Sequence, residues 1–170
     1  PLMEAKKAFL KTLELDTKGK YDSRVAKSFD DLAKYFQIEG TNEYTEKNFK
    51  EAYFSFKHML EVFEHPLVNK VDTAFYYYAG ITALETKKYK EAVDLMKKAV
   101  EYQYDDPNMY ISLSHAYKGT GDTAKAVETL KNGFNRYPNS NMIIIEIINH
   151  YLSKQVAEKA LEFIAIAKEQ

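Results

Sequence analysis

No cysteine occurs in the 170-residue chain. Its absence excludes disulfide staples, thiolate metal sites and cysteine nucleophiles, and fits either a reducing or an oxidising compartment. Glycine and proline are scarce, at six and four residues, about half of average usage. Sheet proteins and disordered chains both use more turn residues than that, so the shortage points to an all-helical protein. A surplus of charge is also missing: 24 basic against 25 acidic residues leave a net charge of −1, without the basic stripe of a nucleic-acid binder. Only Arg24 and Arg136 are arginines, which leaves little for bidentate phosphate recognition. No apolar run reaches the length of a membrane span, and the longest, Met142 to Ile148, is broken by Glu146. What is present argues for a packed core. Aromatics at 14% and hydrophobics at 45% are too plentiful for a disordered chain, and the length suits one domain or one short array.

The apolar residues recur with a period of 34. That step links Gly80, Ser114 and Ile148; Tyr76, Tyr110 and Ile144; and Ala79, Leu113 and Ile147. It also links Ala92, Ala126 and Ala160; Met96, Leu130 and Ile164; and Ala99, Gly133 and Ala167. Every slot holds an apolar or small residue. Within each period the apolar positions fall at i, i+3, i+4 and i+7, as Tyr76, Ala79, Gly80 and Ala83 do, which makes one buried stripe per helix. Turn signals separate the stripes at 85–88, 119–122 and 153–154, and Pro107 and Pro138 stand where a helix cannot continue. Asp105 or Asp106 can cap the helix that follows, as can Ser140 or Asn141. Gly80 and Gly133 lie inside expected helices, where glycine costs about 1 kcal/mol relative to alanine; both are expected to permit close helix contact.

This period and these residue types resemble the tetratricopeptide repeat, a helix–turn–helix unit of 34 residues. Tyr110, Leu113, Ser114, Tyr117, Ala126, Leu130 and Pro138 carry the resemblance best. Tyr76, Ala79, Gly80, Ala83, Tyr89, Ala92, Met96 and Ala99 match in the preceding unit, and Ile144, Ile147, Tyr151, Ala160, Ile164 and Ala167 in the following one. In that last unit Ile148 replaces the small residue where the helices cross. The first half fits more loosely: Phe29, Leu32, Ala33 and Phe36 suggest one helix, and Phe49, Ala52, Phe56, Met59 and Leu60 another. Phe36 to Phe49 is 13 positions where Ala83 to Tyr89 is 6, so a long internal turn is expected around Gly40-Thr41-Asn42, the most mobile internal segment. Ala5, Phe9, Leu13 and Leu15 look like a second helix without its first. The expected fold is therefore an all-α, right-handed superhelical solenoid of antiparallel helix pairs, about nine helices in a single array over 1–170. Its parts are a partial unit 1–17, an irregular unit 21–66, and regular units 73–106, 107–140 and 141–170. A fragment of a longer array is expected, with Phe9, Leu13, Leu161 and Ile164 partly exposed at its ends.

Chemical motifs are wanting. His58, Glu61 and His65 share a helix face, but the tight histidine pair of a zinc site is absent; the trio reads as solvated surface, with a helical hydrolase or metal protein as the enzyme alternative. Gly119-x-Gly121 lacks the lysine-serine or third glycine of a phosphate cradle and reads as a turn. No nucleophile elbow or serine–histidine–carboxylate spacing is present. No catalytic residue, metal site or cofactor is expected, and the protein is read as a non-enzyme.

The resemblance implies a concave groove, lined by the first helix of each unit, that holds a peptide or partner protein. The residues beside the packing stripe are Ala74, Tyr77, Tyr78 and Ile81; then Asn108, Ile111, Ser112 and His115; then Met142, Ile145, Glu146 and Asn149; with Lys27, Asp30, Asp31 and Lys34 in the irregular unit. His150 is expected at a flank. Adjacent helix positions differ by about 100°, so at least one of Tyr77 and Tyr78 is expected to reach solvent, and their joint loss to spare stability. The lysine–asparagine–arginine clamp for C-terminal carboxylates is missing: its places hold Asp30, Lys34, Tyr78, Asn108 and Ser112, or one unit on Tyr77, Ile81, Ser112, Met142 and Glu146. That argues against a chaperone-tail adaptor. The expected partner is a protein or peptide, with no nucleic acid and no membrane insertion; an architectural spacer within a larger protein is the alternative.

Overall fold

The apolar stripes become helices in a computed structural model that describes residues 1–168. Glu169 and Gln170, which end the expected unit 141–170, lie outside the described residues. Nine helices and no strands occur among the described residues. They fall into two units, Pro1–Thr86 and Lys87–Gln170.

The first unit contains α1 (Leu2–Leu15), α2 (Asp22–Thr45), α3 (Phe49–Phe63) and α4 (Thr73–Glu85), each packed on the next. Phe29 and Phe36 of α2 and Phe56 and Met59 of α3 are almost wholly buried. Phe9 of α1 meets Phe29 edge-on at 5.9 Å between ring centroids. The expected long turn after Phe36 is not there, because α2 runs unbroken for 24 residues and ends only at Thr45. Gly40 is a contact residue and not a breaker: a Cβ at this position would lie 2.7 Å from two Phe56 ring carbons, so its bare backbone lets α3 approach. Tyr44 then anchors the added turns, with ring centroids 5.9 Å from Phe49 and 5.5 Å from Tyr78.

The second unit contains α5 (Tyr89–Glu101), α6 (Pro107–Gly119), α7 (Thr123–Arg136), α8 (Asn141–Ser153) and α9 (Ala157–Lys168), again packed in sequence, with α6 also against α8. Leu130, Ile143, Ile147, Tyr151 and Ala160 form a core on which Ile111, Phe134, Tyr137, Ile148 and Phe163 pack. Gly133 permits the close helix contact expected of it, since a Cβ there would sit 2.7 Å from the Tyr110 Cβ. Pro107 takes the first turn of α6 behind Asp106, whose carboxylate accepts the Asn108 amide at 2.8 Å. Asp122 caps α7 in the same way, accepting the Lys125 amide at 3.0 Å. Ser140 stands at the N-cap of α8, but its side chain makes no capping bond.

Helix ends repeat as regularly as helix faces. Lys87, Gly121 and Gln155, 34 residues apart, have φ of 60°, 85° and 58°. A left-handed residue just past a helix turns the next amide back onto the last turn; Asp122 N–H reaches the Tyr117 carbonyl at 3.0 Å and Val156 N–H the Tyr151 carbonyl at 3.0 Å. Only one of the three positions carries the glycine suited to it. No helix among the described residues is long and apolar enough to cross a membrane.

Candidate functional site

The expected groove residues divide between those consumed by packing and those left at the surface. In the first unit, Tyr77 is 9% exposed, and Tyr78 is half-buried with its ring 5.5 Å from Tyr44, 5.7 Å from Tyr77, 6.2 Å from Phe75 and 6.3 Å from Phe56. Two adjacent tyrosines are thus both held by neighbours, so their joint loss is expected to cost stability, against the expectation from helix position alone. Ile81 is half-buried. Asp30 bonds Lys70 and lies 3.4 Å from Lys34, which also reaches Asp31 at 3.2 Å. The Lys70 bond, then Lys34, holds the Asp30 carboxyl below its usual range.

In the second unit Ile111 packs against the core, the backbone N–H of Asn108 donates to the Asp106 cap, and Asn108 and Ser112 are half-buried. The α8 face is different. Met142 and Ile145 are 50% and 53% exposed, and Asn149 lies on the same side, seven residues from Met142. Glu146 projects from the edge of that face toward α6, where the His115 Nε2 donates to its carboxylate at 3.1 Å and Lys118 Nζ at 3.3 Å. Burial alone would raise the Glu146 carboxyl; His115 and Lys118 outweigh it and hold the group below its ordinary value. The result is an apolar pair beside a polar trio on two packed helices. Such an arrangement can bury a partner's apolar side chain and offer it hydrogen bonds at the rim. Lys118 was missed from the sequence because it stands one turn beyond the expected α6 set. His150, expected at a flank, is half-buried beside Tyr151 at 5.4 Å; burial first, then Lys118, Lys154 and Lys131, pushes its pKa down.

The reading of His58, Glu61 and His65 as one solvated trio needs correction. His65 turns away to pack its ring on Phe29 at 4.9 Å. His58 Nδ1 lies 2.8 Å from Glu61 and 3.2 Å from the Nζ of Lys6, which also bonds Glu61. Lys6 is buried, so a charge that looks like surface in the sequence fastens α1 onto α3. Burial raises the Glu61 carboxyl, but its bonds to Lys6 and His58 prevail and lower it. Among the described residues no group of three histidine, aspartate or glutamate side chains could hold a metal ion.

No protein-family model matches the sequence. The chain is 28% identical over 161 residues to the human protein O-mannosyl-transferase TMTC3, a match that takes in 80% of this chain but only 17% of that protein's length. Among solved structures it is similar to a TPR repeats protein from Bacteroides fragilis, with 28% identity, a TM-score of 0.63 and coverage of 79% of this chain and 61% of the other. It is similar also to YrrB, described as a TPR protein with an unusual peptide-binding site, at 17% identity and a TM-score of 0.68, over 95% of this chain and 84% of that one. Helix pairs recurring every 34 residues, with these neighbours in structure, make this an all-α helical-repeat chain with the tetratricopeptide-repeat fold.

Proposed function

We propose that the chain is a non-enzymatic protein-interaction scaffold, and that the α6–α8 face of its second unit holds a peptide or partner protein. One observation carries this reading: Met142 and Ile145 lie half exposed on α8 next to the His115–Lys118–Glu146 cluster. The apolar pair supplies the contact area, and His115, Lys118 and Asn149 supply polar points at its border. The peptide-binding site named for YrrB supports the same use of this fold.

The test is selection of binders from a displayed random-peptide library on the intact protein, followed by titration of the selected peptides. Met142→Glu with Ile145→Glu is expected to weaken those peptides at least roughly tenfold, the loss of about 1.4 kcal/mol typical of a productive contact. Its melting temperature should stay close to wild type, because neither side chain is buried. Peptides that bind the double variant as well as the wild type would remove the face from consideration. Failure to select any peptide would favour an architectural spacer.

A further inference from the structure

The added turns of α2 form one wall of a cleft. Between them and the first turns of α3 lies a space of 310 Å³ lined by Glu39, Glu43, Lys50, Glu51, Phe54 and Ser55. Three carboxylates therefore face one ammonium, and among the described residues none of these four charged groups forms an ion pair. Glu39 and Glu43 are spaced i, i+4, where like charges repel along a helix. Phe54 lies in the same cleft with 46% of its surface exposed.

A second observation points the same way. Ser55 is 4% exposed and lines the cleft, yet its hydroxyl has no hydrogen-bond partner among the described residues. Buried hydroxyls elsewhere in the chain return to a carbonyl one turn back, as Thr82 does to Tyr78 at 3.0 Å and Thr129 to Lys125 at 2.7 Å. The Ser114 hydroxyl is also unpartnered, but it is sealed from solvent; Ser55 borders an open cleft that a ligand can enter. A hydroxyl without a protein partner can accept a bond from a ligand that enters the cleft.

From this we infer that the α2–α3 cleft is a binding site for an arginine side chain of a partner polypeptide. A guanidinium is planar and carries five N–H donors, so it can reach several separated carboxylates while its face rests on an aromatic ring. Here Glu39, Glu43 and Glu51 take its charge, Phe54 offers the ring, and the Ser55 oxygen accepts a remaining N–H. A single metal ion does not suit the site, because the carboxylates do not converge. An ammonium has no plane to stack, which disfavours lysine and free polyamines. The cleft lies in the first unit and does not depend on the α6–α8 face.

Isothermal titration of the intact protein with acetyl-Ala-Arg-Ala-Arg-Ala-amide tests the site, beside the same peptide carrying citrulline or lysine and beside spermidine. The arginine peptide is expected to bind at low salt, weaken with added salt, and shift the amide resonances of Phe54 and Ser55. Glu39→Gln with Glu43→Gln should weaken it about tenfold or more, and Ser55→Ala several-fold. Glu51→Gln, at an exposed position, gives a second reading if the double variant unfolds. Met142→Glu with Ile145→Glu should leave the arginine peptide unaffected, which separates failure of this site from failure of the other face. Citrulline or lysine peptides that bind as tightly would overturn the guanidinium assignment. Spermidine binding more tightly than the peptide would overturn the polypeptide source, and unchanged affinity in the glutamine variants would overturn the site.

Discussion

Replacing Gly133 by alanine sets two effects of opposite sign against each other. Alanine is the better helix former by about 1 kcal/mol at an interior position, so α7 taken alone would gain. The new Cβ, however, would stand 2.7 Å from the Tyr110 Cβ, 2.8 Å from its Cγ and 3.1 Å from the Ile143 Cδ1. Carbon atoms pack best at about 3.5–4.0 Å, so the shortfall against Tyr110 is near 1 Å. The Tyr110 Cβ is fixed to the α6 backbone and cannot swing aside as a side-chain tip would. The two helices must therefore part, which loosens the contacts around Leu130 and Ile143 in the core. Overpacking of this kind costs about 1–3 kcal/mol, and a rigid obstacle places it toward the upper end. The expected net loss is about 1–2 kcal/mol, a fall of roughly 2–8 °C in melting temperature for a chain of this size if it melts cooperatively. Asn132→Ala, exposed on the same helix, should show the propensity gain alone and move the other way. Helical circular dichroism followed through heat and urea measures both. A Gly133→Ala protein more stable than wild type would mean that α6 and α7 do not touch at this crossing.

Tyr77→Ala with Tyr78→Ala should destabilise the first unit, on the order of 3–5 kcal/mol given the loss of one buried and one half-buried ring; an unchanged urea midpoint would show the rings to be dispensable. Gln155→Gly should stabilise by about 0.5–1 kcal/mol, since φ of 58° suits glycine and strains glutamine, and no gain in melting temperature would refute the left-handed helix stop. His150 has a folded pKa below its ordinary value, so the unfolded chain binds the proton more readily. Stability from this group is complete above about pH 6.5 and is lost as the pH falls from there toward the folded value. His150→Gln should flatten that part of the melting profile, and an identical pH slope in both proteins would sink the assignment.

Regular spacing made the second half of the fold readable. Six slots stepping by 34 placed the helices from α4 onward, and Pro107 after Asp106 marked a boundary that the backbone follows. Gly133 was legible because a glycine inside a helical stripe costs about 1 kcal/mol relative to alanine, which a close helix contact explains. Gly40 had no repeat partners. With Thr41 and Asn42 behind it, the local chemistry favoured a turn, and only the Phe56 ring packed against its backbone reverses that preference. Lys6 carried no signal in the sequence, because a lysine beside an apolar stripe is normally solvated, and its partners His58 and Glu61 lie more than fifty residues on.

Function was less legible because it depends on what helices leave unburied. The sequence nominated sixteen groove positions by helical phase, yet phase cannot distinguish Ile111, which packs against the core, from Ile145, which stays at the surface one unit later. The difference arises from the neighbours each helix meets, which the sequence does not state. The seven-residue excess between Phe36 and Phe49 was visible from the start, and its meaning was not. Read as a loop, it puts Glu39 and Glu43 in solvent without a common direction. Continued as helix, it fixes both carboxylates one turn apart on a rigid wall and sets them against Glu51, Phe54 and Ser55 of α3. Regular units have no such wall, so the departure from the repeat, and not the repeat itself, brings unpaired charge, an exposed ring and a hydroxyl without a protein partner together in the first unit.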